Sequence, residues 1–288
     1  MTGSRADRAA RPAVRSRSER RRRHTLCFLE HAARQRPVHL DTEIDMTRIA
    51  AHRAAARAEG RRYAVVAYLL WATGRVLRRR PEANAALAPG GFPWLRGPRT
   101  VRFPGVTAKL ALDRSFDGER TVLSALLPGL ESAGLDAIQE RIDRYRDPGA
   151  ALLPEFRGVR LLSRLPVPLG RLAFAAAVRD PARRPAVLGT VAVSSLGHRP
   201  VDGFHSSGGT AVTLCAGRVV DRAVVREGRL AVAPVMRLGL TFDHRVIDGA
   251  AAADVLGDLK HTLEGFHGGA EEDRARTLVR GAGDDLRA

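Results

Sequence analysis

Between Val235 and Phe242 the chain alternates: Met236, Leu238, Leu240 and Phe242 are large and apolar, while Arg237, Gly239 and Thr241 stand between them. A period of two is the mark of a strand with one buried face. A few residues further on, Ala250–Glu264 sets Ala252, Val255, Leu256, Leu259 and Leu263 on one face of a helix. A strand that hands over so abruptly to an amphipathic helix needs a sheet with helices laid against it. The handover itself, Asp243 to Gly249, reads DHRVIDG, so charged side chains are fixed between two rigid elements.

The rest of the chain agrees with that constraint. Thr210–Ala216, Val219–Val225 and Leu230–Ala233 are further short apolar or alternating runs and read as strands, with Glu227-Gly228 as a hairpin turn. Thr47–Glu59 followed by Gly60 reads as a helix with a glycine stop, and Tyr63–Arg79 as a longer, mostly buried helix ending before Pro81. A third helix, Leu135–Tyr145, places Ile138, Ile142 and Tyr145 on one face. Helices and strands are partly segregated along the chain, which favours an α+β class.

At 288 residues and 44% hydrophobic content the chain can bury a substantial core. One domain over 24–265 is expected, between flexible charged tails at 1–23 and 266–288. The formal charge of +17 is concentrated: residues 1–23 hold nine arginines against Asp7 and Glu19. A nucleic-acid-binding reading rests on that tail alone, since no aromatic-basic interleaving or known module accompanies it. The tail lacks the apolar run of a secretory signal, and no apolar stretch is long enough to span a bilayer, so a cytoplasmic protein is expected. Cys27 and Cys215 lie far apart among apolar neighbours, which predicts two buried core residues and neither a redox pair nor a metal site.

The candidate chemistry sits in the handover. His244 is a candidate general base and Asp248, four residues on, a candidate partner. The structural alternative is that Asp248 caps the following helix and His244 is half-buried at a strand end. The pattern also occurs twice, because His198-Arg199-Pro200-Val201-Asp202-Gly203 repeats HRxxDG. Pro200 and the absence of a following helix favour the second copy.

LTFDHRVIDGAAAADVLGDLKHTLE at 240–264 resembles the closing segment of the 2-oxo-acid dehydrogenase (E2) acyltransferase catalytic core along its whole length. TVAVSSLGH at 190–198, RPVHLDTEIDMTRI at 36–49 and RRPEANAAL at 79–87 resemble three further segments of that family, in the family's order. The resemblance implies a chloramphenicol-acetyltransferase-like (CoA-dependent acyltransferase) sandwich of mixed sheet and helices. It also implies a homotrimer or a multiple of trimers, with the site in a channel between subunits. It makes His244 the general base, Ser194 the oxyanion donor with Ser195 the weaker serine candidate, and Asp248 an organiser of the site. Coenzyme A or a lipoyl group enters as cosubstrate, with no tightly bound cofactor and no metal. A covalent serine mechanism is disfavoured because GxSxG is absent around Ser194.

Three departures accompany the resemblance. Residues 1–23 cannot hold a lipoyl domain, so the expected donor is a lipoyl or acyl-carrier protein supplied in trans, or a diffusible acyl-CoA. The family's Arg-Asp-containing stretch has no clear match in TVLSALLPGLESAG at 121–134. Residues 151–189 are longer than the family's segment, and they are open to reading as a lid, an extra buried helix, a carrier-docking face or a membrane-facing surface. A non-catalytic scaffold that keeps the fold is the alternative function, against which the intact His244, Asp248 and Ser194 argue.

Overall fold

The computed structural model describes residues 23–88, 97–116, 119–147, 153 and 156–268. Of the tails expected at 1–23 and 266–288, residues 1–22 and 269–288 lie outside the described residues. In chain order the elements are α1 (Arg23–Ala32), β1 (Pro37–Asp45), α2 (Thr47–Ala58), α3 (Val65–Arg79), β2 (Ala85–Ala88), β3 (Arg99–Arg102), β4 (Ala108–Phe116) and β5 (Glu119–Leu127). There follow α4 (Leu135–Arg146), α5 (Arg157–Arg164), α6 (Val167–Arg179), α7 (Arg184–Leu188), β6 (Val191–Ser195), β7 (Val212–Arg226), β8 (Arg229–Asp243) and α8 (Gly249–Glu264).

Six strands form one mixed sheet in the order β1-β8-β7-β6-β4-β5, and β2 and β3 form a separate antiparallel pair. β6 runs parallel to both β4 and β7, while β1–β8, β7–β8 and β4–β5 are antiparallel. One face of the sheet carries the main core. Val191, Val193, Leu214, Leu238, Leu240 and Phe242 meet α3, α4 and α8 there. α3 is buried continuously from Val66 to Leu77, and each large apolar side chain it removes from water contributes about 1.5–3 kcal/mol. A smaller cluster of Cys27, Phe174, Val178 and Leu188 joins α1, α6 and α7.

The expected helices form within one or two residues of their predicted ends, and the α+β class and mixed-sheet sandwich hold. The four short strands expected from Thr210 onward are instead two strands of fifteen residues each. The break expected at Gly217-Arg218 is a bulge that shifts the β7–β8 register between Ala216 and Val219. Pro234 stays within β8 opposite Asp221, its carbonyl accepting a hydrogen bond from Met46 N at 2.8 Å. Glu227 and Gly228 do form the hairpin turn, both with positive φ. The core runs on past the expected boundary at 265, because Phe266 is buried and packs edge-on against Tyr68 and Trp71. Cys27 and Cys215 are both buried and unpaired, as their surroundings in the sequence imply. No helix among the described residues is long and apolar enough to cross a membrane.

Candidate active site

The DHRVIDG turn is built around Asp243. This carboxylate is 4% exposed, and it accepts hydrogen bonds from Arg245 Nε at 2.9 Å, Arg245 Nη2 at 2.6 Å and the backbone N–H of Arg36 at 3.2 Å. Burial alone would raise its pKa, but the hydrogen bonds from Arg245 and from the backbone outweigh burial and hold the carboxyl below its usual range. The backbone of the turn is tied down as well: Asp243 N–H donates to Ala211 O, His244 N–H to Arg36 O and Val246 N–H to Asp243 O. Ile247 is buried in the core and anchors the far end of the turn.

This frame leaves the His244 side chain half-exposed, its ring tilted against Phe242 at 5.4 Å between centroids. His244 Nδ1 faces Asp248 Oδ1 at 3.6 Å. Asp248 occupies the N-cap position of α8, and its carbonyl accepts the first helical hydrogen bond from Ala252 N–H. Its side chain makes no capping hydrogen bond and is turned to the solvent side with His244. The capping alternative therefore describes the Asp248 backbone and leaves its carboxylate available to the histidine.

The other HRxxDG copy is wired differently. His198 lies 3.6 Å from Asp113, and Asp202 is held by Arg218 at 2.6 Å and Arg222 at 3.2 Å. Those two guanidiniums keep the Asp202 carboxyl below the usual range, the Arg218 hydrogen bond being the largest cause. Its histidine and aspartate thus serve separate partners, whereas those of the 243–249 copy face each other.

Ser194 stands near the end of β6, with alternation setting it on the sheet face opposite Val191 and Val193. Across the sheet it is level with Cys215 and then with Gly239, five positions short of His244. At about 3.3 Å per residue and about 4.8 Å between strands, the two backbone positions are separated by roughly 16 Å along the strands and roughly 10 Å across them. The structure brings His244 and Asp248 together, and it does not bring Ser194 to them within one chain. Ser195 shares the core-side face and lines a cavity of about 1180 Å³ with Tyr63, Asp113, His198 and four arginines, Arg53, Arg57, Arg62 and Arg146. This cavity excludes Ser194, His244 and Asp248.

The Asp243–Arg245 staple has no place among the residues that sequence reasoning singles out, although both lie inside the motif. Its signal is the spacing of two opposite charges around the histidine, which reads as solvent-facing until the burial of Asp243 is known. No group of His, Cys, Asp and Glu among the described residues is placed to hold a metal ion.

The mixed six-stranded sheet, with the histidine turn at the end of β8 leading into α8, stands in a fold similar to that of solved acetyltransferase catalytic cores. The fold matches the dihydrolipoamide acetyltransferase (E2p) of Azotobacter vinelandii, a structure concerned with a serine, a histidine and an asparagine in that enzyme's catalytic mechanism. The TM-score is 0.63 at 20% identity, covering 92% of this chain and 96% of that one. The cubic core of the pyruvate dehydrogenase multienzyme complex gives the same TM-score of 0.63 at 18% identity, over 92% of this chain and 96% of the other.

Residues 186–268 match the family described as the 2-oxoacid dehydrogenases acyltransferase catalytic domain. A 47-residue stretch is 49% identical to the dihydrolipoyllysine-residue acetyltransferase component of the pyruvate dehydrogenase complex of Bacillus subtilis (strain 168). That stretch is 16% of this chain and spans only 11% of the Bacillus protein. The resemblance to the E2 catalytic core holds both in the segment carrying His244 and in the fold as a whole.

Proposed function

We propose that this protein moves an acyl group from a thioester donor to a thiol, amine or hydroxyl acceptor, with His244 as general base and Ser194 as oxyanion donor. The observation that carries this reading is the mounting of His244: a braced backbone, one ring nitrogen toward Asp248, and the other without a partner among the described residues. Nε2 takes the proton of the acceptor as it attacks the thioester carbonyl, which forms the new bond and an oxyanion. The Ser194 hydroxyl donates a hydrogen bond to that oxyanion, an interaction commonly worth about 3–4 kcal/mol in the transition state. Collapse restores the carbonyl and breaks the bond to the donor sulfur, and the imidazolium returns its proton to the departing thiolate. Asp248 stabilises the imidazolium while it exists and holds the ring's orientation.

The separation of Ser194 from His244 within one chain supports a site shared between two copies, in a trimer or a multiple of trimers. The names of the relatives favour acetyl transfer between coenzyme A and a dihydrolipoyl group, from acetyl-CoA to the dihydrolipoyl thiol or from an acetyl-lipoyl protein in trans to the coenzyme A thiol. The test is transfer from acetyl-CoA to dihydrolipoamide, and from a panel of other acyl-CoAs, followed by mass spectrometry of the acyl product. Transfer that is lost in His244→Ala supports the proposal. A correctly folded wild-type protein that transfers no acyl group across the panel returns the scaffold reading to first place.

A further inference from the structure

The second sheet face holds a buried cation for which acyl transfer has no use. Lys109, on β4, is 7% exposed and lines a cavity of about 750 Å³ closed by α1 and the α5–α7 segment. Of its three donors, one bonds Gly208 O at 2.5 Å, and the Nζ rests 3.8 Å from the centre of the Phe28 ring. Leu126, Leu162, Phe174 and Leu188 supply apolar wall, and no Asp or Glu lines the cavity among the described residues. The nearby Arg184 spends its guanidinium on the carbonyls of Leu87 and Gly209. An ammonium in an apolar chamber without a counter-charge is unfavourable, and it is relieved by losing its proton or by gaining an anion.

We propose that this cavity binds a linear aliphatic carboxylate, with the chain against Leu126, Leu162, Phe174 and Leu188 and the carboxylate on Lys109 Nζ. The volume falls in the usual range for small-molecule sites, and the buried ammonium, with Arg141 and Arg144 elsewhere in the lining, matches an anionic headgroup. The proposal does not draw on the acyl-transfer reading.

The electrostatics of the cavity give a signature. Burial, with a smaller contribution from Arg184, lowers the Lys109 pKa to about 7. The other groups facing this region from α1 are His24 and His31, and burial followed by the repulsion of Arg184 lowers His31 to about 4. Arg141, Arg144 and Tyr145 contribute from α4, and the paired Asp243 and Arg245 lie beyond His31. His31 therefore stays neutral between pH 6 and pH 8, while Lys109 loses its proton.

A carboxylate that requires the ammonium should bind about tenfold more tightly at pH 6 than at pH 8, the protonated fraction falling by that factor across a pKa of about 7. The measurement is isothermal titration calorimetry of the full chain with octanoate and with 1-octanol at both pH values. Wild type should bind octanoate at least tenfold more tightly than octanol at pH 6. Lys109→Met, which replaces a buried charge by an apolar side chain of similar length, should lose that preference and the pH slope while still binding octanol. A slope that survives in Lys109→Met would place the titrating group elsewhere and overturn the role of Lys109. Ser124→Phe fills the cavity without touching Lys109, and it should abolish both ligands should Lys109→Met fail to fold. Absence of binding by wild type, or octanoate binding unchanged in either folded variant, overturns the proposal.

Discussion

Asp243 and His244 are neighbours with opposite fates, and the difference decides what each contributes. Asp243 is buried and holds the turn through Arg245 and Arg36, while His244 is presented by that turn. Removing the charge in Asp243→Asn leaves Arg245 without its partner in a partly buried setting, at a cost of about 3 kcal/mol at neutral pH. The pH dependence has a defined sign. A carboxyl whose folded pKa is depressed contributes stability above its unfolded value of about 3.9, and that contribution is lost as pH falls through the folded value. Chemical denaturation should therefore show a gap between wild type and Asp243→Asn that is full at pH 7 and narrows as pH falls below the ordinary carboxylate range. A pH-independent gap would mean that the substitution acts by packing alone. His244→Ala should do the opposite: little change in unfolding, but a loss of acyl transfer of about 100- to 10,000-fold. His198→Ala should leave transfer unchanged, because His198 pairs with Asp113 and not with the aspartate of its own motif copy. Equal losses from the two histidines would sink the assignment of the 243–249 copy.

Among the elements, α3 shows how a local preference can be overruled by packing. In a helix interior Gly74→Ala ordinarily gains about 1 kcal/mol. Here a Cβ at Gly74 would lie 2.1 Å from Leu130 O, a backbone atom with no freedom to withdraw. The substitution should lower the melting temperature, by more than about 2 °C if the clash costs more than about 1 kcal/mol beyond the propensity gain. An unchanged or raised melting temperature would show that the 128–131 turn yields easily. Elements of this kind also show what the sequence makes legible. α2, α3, α4 and α8 can be read because each carries its own apolar face at helical spacing, a local property. β7 and β8 are read as four pieces because a bulge glycine and a strand proline look like breaks until their partners are known. The sheet order, and the closure of the α5–α7 segment over Lys109, depend on contacts between distant parts of the chain. No periodicity within one segment encodes them. His244, Asp248 and Ser194 become candidates through a motif and a resemblance, whereas Lys109 looks like one polar residue in an alternating strand.

At the scale of the whole molecule, the register of the sheet makes the argument for assembly. Ser194 is level with Gly239, and His244 lies five positions further along β8, so one rigid sheet cannot bring both groups to one carbonyl. Two copies related by rotation can, if the end of β6 in one meets the 243–249 turn of the next. In a closed trimer every site would then take its histidine from one chain and its serine from a neighbour. Each single mutant trimer loses all of its sites, His244→Ala for want of proton transfer and Ser194→Ala for want of an oxyanion donor. When the two mutant chains are unfolded together and refolded as mixtures, some interfaces pair an intact histidine with an intact serine. In a trimer with one site per interface, random mixing at equal ratio leaves about one site in four with both groups intact. About a quarter of wild-type transfer should therefore return, with the other sites impaired in one group or both. The activity should follow the product of the two chain fractions as the mixing ratio is varied, peaking at equal amounts. Mixed trimers verified by native mass spectrometry that remain as inactive as either parent would require both groups to act within one chain, and the sheet would then have to deform to bring them together.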